Sequence, residues 1–125
     1  MKTQINSFGF EKLIVWQESR KLVKRVYDLT EKFPKIETYS LASQIHRSVV
    51  SVSANIAEGS SRSSRKDFCR FIEISYGSLT ETLNHLYLAV DLNYIDNESF
   101  EKIKPLIIGI AEKLSALRRS LQNIK

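Results

Sequence analysis

The stretch "FEKIKPLIIGIAEKLSALRRSLQNIK", residues 100–125, decides the fold. Phe100, Ile103, Ile107, Ile110, Leu114, Leu117, Leu121 and Ile124 recur at steps of three and four without a miss. Such steps track the turn of an α-helix and put the apolar side chains on one stripe. A stripe this long and narrow is the seam of a helical bundle or coiled coil. Asn97 stands just before it as a plausible cap, and the spacing predicts a helix over about 97–123. Pro105 falls in the second turn, where its missing N–H predicts a bend.

Three more helices read back toward the start. In "VWQESRKLVKRVYDLTEKF", Trp16, Val23, Val26 and Phe33 share a face with Leu22 and Leu29, while Arg20, Lys21, Lys24 and Arg25 fall largely elsewhere. Pro34 drives the residue before it out of helical geometry, so this helix covers about 12–33. A second helix covers about 38–58, with Leu41, Ile45, Val49, Val52 and Ile56 as its stripe and Gly59 expected as a left-handed terminator. The third opens at Ser64, with Asp67 completing a capping box, and passes Phe68, Ile72, Leu79, Leu86 and Val90 to end near Asn93, covering about 64–93. No segment alternates with period two for long enough to be a strand. The expected fold is all-α: one domain over residues 1–125, an antiparallel up-down-up-down four-helix bundle.

Composition agrees. At 125 residues there is chain for one core, and 42% hydrophobic with 26% charged residues describes a globular rather than a disordered protein. No apolar run reaches the length of a membrane span, and the N-terminus lacks the apolar core of a signal peptide. Lone Cys69 cannot form an internal disulfide. The expectation is a soluble cytoplasmic protein without a membrane partner.

A polar row runs beside the apolar stripe of the second helix. Gln44, Ser48, Ser51, Asn55, Glu58 and Arg62 step by four and three, one residue ahead of much of that stripe. At about 100° per residue, this places the row on the flank of the buried face. Helix flanks are usually lysine and glutamate; here most of the groups are short amides and hydroxyls. They can bond within the bundle, or let helices approach closely together with Ser75, Gly77 and Ser78. Alternatively they form a subunit interface, where polar seam residues set register and oligomer number.

Catalytic and metal chemistry finds little support. A two-metal bundle core needs paired Glu-x-x-His motifs, yet the third residue after Glu73 is Tyr76 and after Glu81 is Asn84. His85, four after Glu81, is half a metal site or a surface hydrogen bond. His46 has no clustered ligands around it and reads as a boundary or surface histidine. Cys69 lies near basic residues, which favour a thiolate, but lacks an oriented base and reads as a small buried residue. Gly59 and Gly77 are too isolated to form a phosphate-binding nest, and phosphate-loop, dinucleotide and zinc-helix motifs are missing. The sequence predicts a protein that is not an enzyme and needs no cofactor or metal.

Charge is more informative. The net charge is +5, and residues 60–70 carry Arg62, Arg65, Lys66 and Arg70 against Asp67 alone. From 71 to 94 come Glu73, Glu81 and Asp91 with no lysine or arginine. Arg118 and Arg119 add charge near the end. Serine hydroxyls and backbone N–H groups at the start of the third helix can hold phosphate, with Arg65 or Lys66 adding charge. That grips a nucleic-acid backbone without reading sequence. The plainer reading is a solvated turn whose serines cap a helix and whose arginines pair with Glu58 and Asp67.

The runs "LIVWQESRKLVKRVYDLTEKFP" and "YSLASQIHRSVVSVSANIAEGSSRSSRKDFCRFIEISYGSLTE" resemble the bacterial 23S ribosomal RNA intervening-sequence proteins, a four-helix-bundle family. The likeness spans about residues 8–95. Its marks are Val15-Trp16-Gln17, Leu29-Thr30 with Phe33-Pro34, Gln44 followed by Arg47, Asn55 through Gly59 with Arg62, and Gly77-Ser78 with Glu81. Where the family often has two adjacent basic residues after the glutamine, the first here is His46, so charge there is reduced or pH-dependent. The resemblance implies a homopentameric ring. The chain is also similar to bundle accessory proteins that work beside reverse transcriptases, which are basic and bind nucleic acid.

The resulting expectation is a non-enzymatic homo-oligomer whose basic face binds RNA or DNA through phosphates. Arg47, Arg62, Arg65, Lys66 and Arg70 are the first candidates, followed by Arg20, Lys24 and Arg25. Gln44, Ser48, Ser51, Asn55 and Glu58 are candidates for an interface or structural seam, and Gly59 for the helix turn. The alternative is a scaffold that recruits another protein, marked by an exposed apolar patch and arginines tied up in pairs.

Overall fold

In a computed structural model, residues 5–38 and 40–123 are described; Ile124, the last position of the apolar stripe, lies outside them. A 3₁₀ turn, Gly9–Lys12, leads into α1 (Ile14–Thr30). A second such turn, Lys35–Glu37, leads into α2 (Leu41–Ser60), followed by α3 (Arg65–Asp91) and α4 (Asn97–Gln122). Among the described residues every regular element is helical.

The predicted stripe of α4 faces inward. Phe100, Ile103, Ile107, Ile110 and Leu114 are buried, with Leu117 and Leu121 packed at the edge. Its cap is Asp96 rather than Asn97: the carboxylate accepts from the Ser99 N–H at 2.7 Å, where a negative charge also suits the helix dipole. Pro105 sits inside α4 at an exposed position, and the helix continues through it.

α1 is shorter than the predicted span. It ends at Thr30, and the chain tightens into a turn in which the Phe33 N–H donates to the Thr30 carbonyl at 3.0 Å. That turn swings Phe33 into the core ahead of Pro34. The buried line of α1 is Val15, Ser19, Leu22, Val26 and Thr30, so Trp16, Val23 and Leu29 lie one residue off its centre and are only half-buried.

Gly59 is not a left-handed terminator. α2 passes through it to Ser60, and no described glycine has positive φ. Gly59 is buried, and a Cβ there would lie 2.6 Å from Phe71 Cβ and 3.0 Å from Phe68 Cδ1. It is a point of close approach between α2 and α3. The left-handed residue is Asn93, at φ 63°. Tyr94 N–H donates to the Ala89 carbonyl at 2.9 Å and Asn93 N–H to Val90 at 3.0 Å, the Schellman closure of α3. Ser64 caps α3 by accepting from the Asp67 N–H at 3.0 Å.

α1 packs on α2 and α4, α2 on α3, and α3 on α4, so the four helices enclose one core. Cross-helix bonds run in opposite senses along α2 and α3: Ser75 Oγ donates to the Val52 carbonyl at 2.8 Å, and Thr82 Oγ1 to Ser48 Oγ at 2.8 Å. Between them, Ser51 and Ser78 hydroxyls meet at 2.9 Å. Toward the other neighbour, His46 stacks flat on Tyr27 with ring centroids 3.9 Å apart. The Thr30 hydroxyl lies 2.7 Å from His46 Nε2 and 3.1 Å from the Tyr27 carbonyl, so it joins the two helices at this stack.

Replacing Gly59 with alanine is expected to lower stability by about 1–3 kcal/mol, because Phe71 Cβ is fixed to its backbone and cannot rotate away. Gly77→Ala, with nothing within 4 Å of the new Cβ, should gain about 0.5–1 kcal/mol from helix propensity. Urea denaturation of the two variants checks the contrast. Burial holds the His46 pKa below its ordinary value. The unfolded chain therefore takes up a proton at pH values where the folded protein does not. This contribution is intact above about pH 6.5 and is lost as pH falls through the lower folded-state value. Denaturation midpoints at neutral and mildly acidic pH should show that loss, and His46→Gln should flatten it.

Candidate nucleic-acid interface

The turn between α2 and α3 gathers four candidate cations, which divide into two pairs. Arg62 donates to Glu58 at 2.6 Å and lies 3.8 Å from Asp67. Arg70 donates to Asp67 through Nε and Nη2, both at 3.2 Å. Both guanidinium groups sit over the Phe71 ring, at 4.8 Å for Arg62 and 4.6 Å for Arg70. Two arginines thus share one carboxylate and one aromatic ring. The plain structural reading of the turn describes this pair well.

Arg65 and Lys66 differ. Both are exposed, and neither forms an ion pair among the described residues. Arg65 Nη2 donates to the Ser120 carbonyl at 3.4 Å, which draws the last turn of α4 toward the start of α3. Arg65, Lys66 and Arg70 line an open depression of about 790 Å³ together with Ser64, Leu121 and Gln122. Its two carboxylates already face cations, Asp67 as above and Glu73 at 3.8 Å from Arg118. Cys69 lies at its edge and is buried.

The remaining cations are elsewhere. Arg25 donates to the Lys102 carbonyl at 3.1 Å and so turns toward α4. Arg20 and Lys24 line a groove between α1 and α2. Arg47 is exposed on α2 and forms no ion pair among the described residues. The eight candidates therefore do not make one surface.

The polar row of α2 also divides. Gln44 is exposed, whereas Ser48 is buried against Thr82. Ser51 meets Ser78, and Asn55 Nδ2 donates back to the Ser51 carbonyl and hydroxyl at 2.8 and 2.9 Å. Glu58 belongs to the arginine cluster. The sequence reading gives Ser75 and Ser78 only as small packing residues and misses Thr82; Ser78 and Thr82 meet Ser51 and Ser48 of the row, while Ser75 bonds the Val52 carbonyl beside it. Gly77 is exposed and makes no close approach. His85 is not at the surface: it is buried, with Nε2 3.3 Å from Glu81 Oε2 and Nδ1 unpartnered.

At the other end of the bundle, Tyr94 donates to Glu37 at 2.7 Å and ties together the two connections there. Bonds from Ser40, Tyr94 and the Leu41 N–H hold the Glu37 carboxyl below its usual range.

Comparison with known proteins places this architecture. The model of the 23S rRNA-intervening sequence protein family matches residues 11–116. A crystal structure of a protein of unknown function from the S23 ribosomal protein family of Bacteroides thetaiotaomicron VPI-5482 superposes with a TM-score of 0.78 at 27% identity, covering 84% of this chain and 98% of that one. No curated protein matches. With the family match running from the turn before α1 deep into α4, the chain belongs to the 23S rRNA-intervening sequence protein family.

Proposed function

We propose that this protein is a non-enzymatic, cytoplasmic homo-oligomer, an up-down-up-down bundle assembled as a pentameric ring, that binds RNA or DNA through phosphates at the α2–α3 turn. The observation that carries this reading is the pair Arg65 and Lys66, exposed beside the depression and without carboxylate partners among the described residues. Arg62 and Arg70 are reserves: their exposed ion pairs contribute about 0–1 kcal/mol each, so a phosphate can displace a carboxylate at little cost. The start of α3 adds backbone N–H groups and the positive end of the helix dipole. The family's name refers to intervening sequences of 23S rRNA, which makes RNA the first ligand to titrate.

A scaffold role is the second reading, because Arg62 and Arg70 are engaged internally and Ile74, Tyr76 and Leu88 on α3, Leu92 just after it and Ile108 on α4 are exposed. The same apolar side chains are available for self-association, which both readings require.

Light scattering gives the mass in solution, and titration with labelled single- and double-stranded RNA and DNA at two salt concentrations gives the binding. The expected result is a ring-sized particle whose affinity falls steeply with salt. Replacing both Arg65 and Lys66 with alanine should weaken binding to all sequences alike and reduce the salt slope by about two. A ring that ignores nucleic acid at low salt favours the scaffold; a monomer removes the ring.

A further inference from the structure

The groove between α1 and α2, about 340 Å³, differs in make-up from the basic turn. α1 lends it Trp16, Arg20, Lys24 and Tyr27, and α2 lends Val50 and Ser53. Among the described residues no carboxylate lines it, and residues 41–57 of α2 contain no aspartate or glutamate. Arg20 lies over the Trp16 ring at 5.6 Å and forms no ion pair among the described residues. Among the described residues Lys24 pairs only with the exposed Asp28, at 3.4 Å.

Both aromatic rings are held in place yet keep free surface. Phe10 braces Trp16 edge-on, with centroids 4.8 Å apart. His46 covers one face of Tyr27, and Tyr27 is still 40% exposed beside Val50 at 41%. Eleven residues separate the rings along α1, about 16 Å at 1.5 Å per residue. The advance of about 3.4 Å per nucleotide in a stacked strand makes this about five nucleotides. Fixed aromatic rings with cations between them suit unpaired bases on a phosphate chain, since every base has a π-face and every link a charge. A duplex hides its base faces and gains nothing here.

We propose that the α1–α2 groove binds a short run of single-stranded nucleic acid, with bases stacked on Tyr27 and Trp16 and phosphates at Arg20 and Lys24. This rests on the nucleic-acid reading above but uses a different surface. It makes unpaired strand the preferred ligand and leaves the α2–α3 turn as the part that does not distinguish single from double strands.

Trp16 is the only tryptophan in the chain, so its emission reports on the groove directly. The whole protein is titrated at low salt with an oligouridine of about ten nucleotides, within the range of single-strand site sizes, with an RNA duplex of equal length, and with base-free polyphosphate. Oligouridine should quench Trp16, and the other two should leave its emission unchanged. Tyr27→Ala should lower oligouridine affinity by about tenfold, in line with the loss of one stacked base, and leave duplex affinity unchanged. Tyr27→Phe should restore it, and circular dichroism verifies that both variants fold. Oligouridine binding without quenching and indifferent to Tyr27→Ala overturns the groove while sparing the basic turn. Equal quenching by polyphosphate overturns stacking. Emission that shifts with protein concentration but not with oligouridine shows the groove covered by a second copy, and overturns the proposal too. No binding of any of the three polymers removes both readings.

Discussion

The contact between Gly59 and Phe71 sets the rest of the structure. With hydrogen in place of a side chain, α2 comes close enough to α3 for Phe71 to be buried beside it. The same close approach brings serine and threonine hydroxyls, which have short reach, within bonding distance across the two helices. Longer side chains would hold the helices apart and leave those groups buried without partners, which is costly. Phe71 in turn carries Arg62 and Arg70 over its ring. One missing methyl group thus links core packing to the placement of charge at the turn.

That placement explains why arginines of similar sequence context end up unlike one another. Arg62 and Arg70 are neutralised locally by Glu58 and Asp67 and anchored on an aromatic ring. Arg65 and Lys66 follow the N-cap directly, at positions that project from the first turn of α3, where neither meets an acid among the described residues. A structural cluster and an available cluster therefore share one short segment. The segment looks uniformly basic only when read as a string.

Much of the fold was legible because burial follows period. The stripes of α2 and α4 could be read directly, and Ser64 announced the start of α3. The centre of α1 was not, because the large side chain of Trp16 drew the reading away from Val15 and Ser19, which face the core. The role of Gly59 is steric rather than conformational, and sequence spacing does not show what a Cβ there would strike. Asn93 marks the end of α3 in the sequence but not its left-handed turn, although asparagine is the residue after glycine most tolerant of one. The site was less legible still. Proximity of Arg20 and Lys24 to Tyr27 follows from helix period, but their separation from Arg25 depends on where α4 lies.

The closeness of α2 and α3 also bears on how the chain assembles. Only four residues, 61–64, separate the two helices, so their contact closes a very short loop. The entropy lost in closing a loop grows with its length, and contacts between sequence neighbours form fastest. The α1–α4 contact, by comparison, joins segments such as Glu18 and Lys113 from opposite ends of the chain. This close approach is therefore also among the least demanding to find, and the hairpin of α2 and α3 is a ready template on which the outer helices can settle.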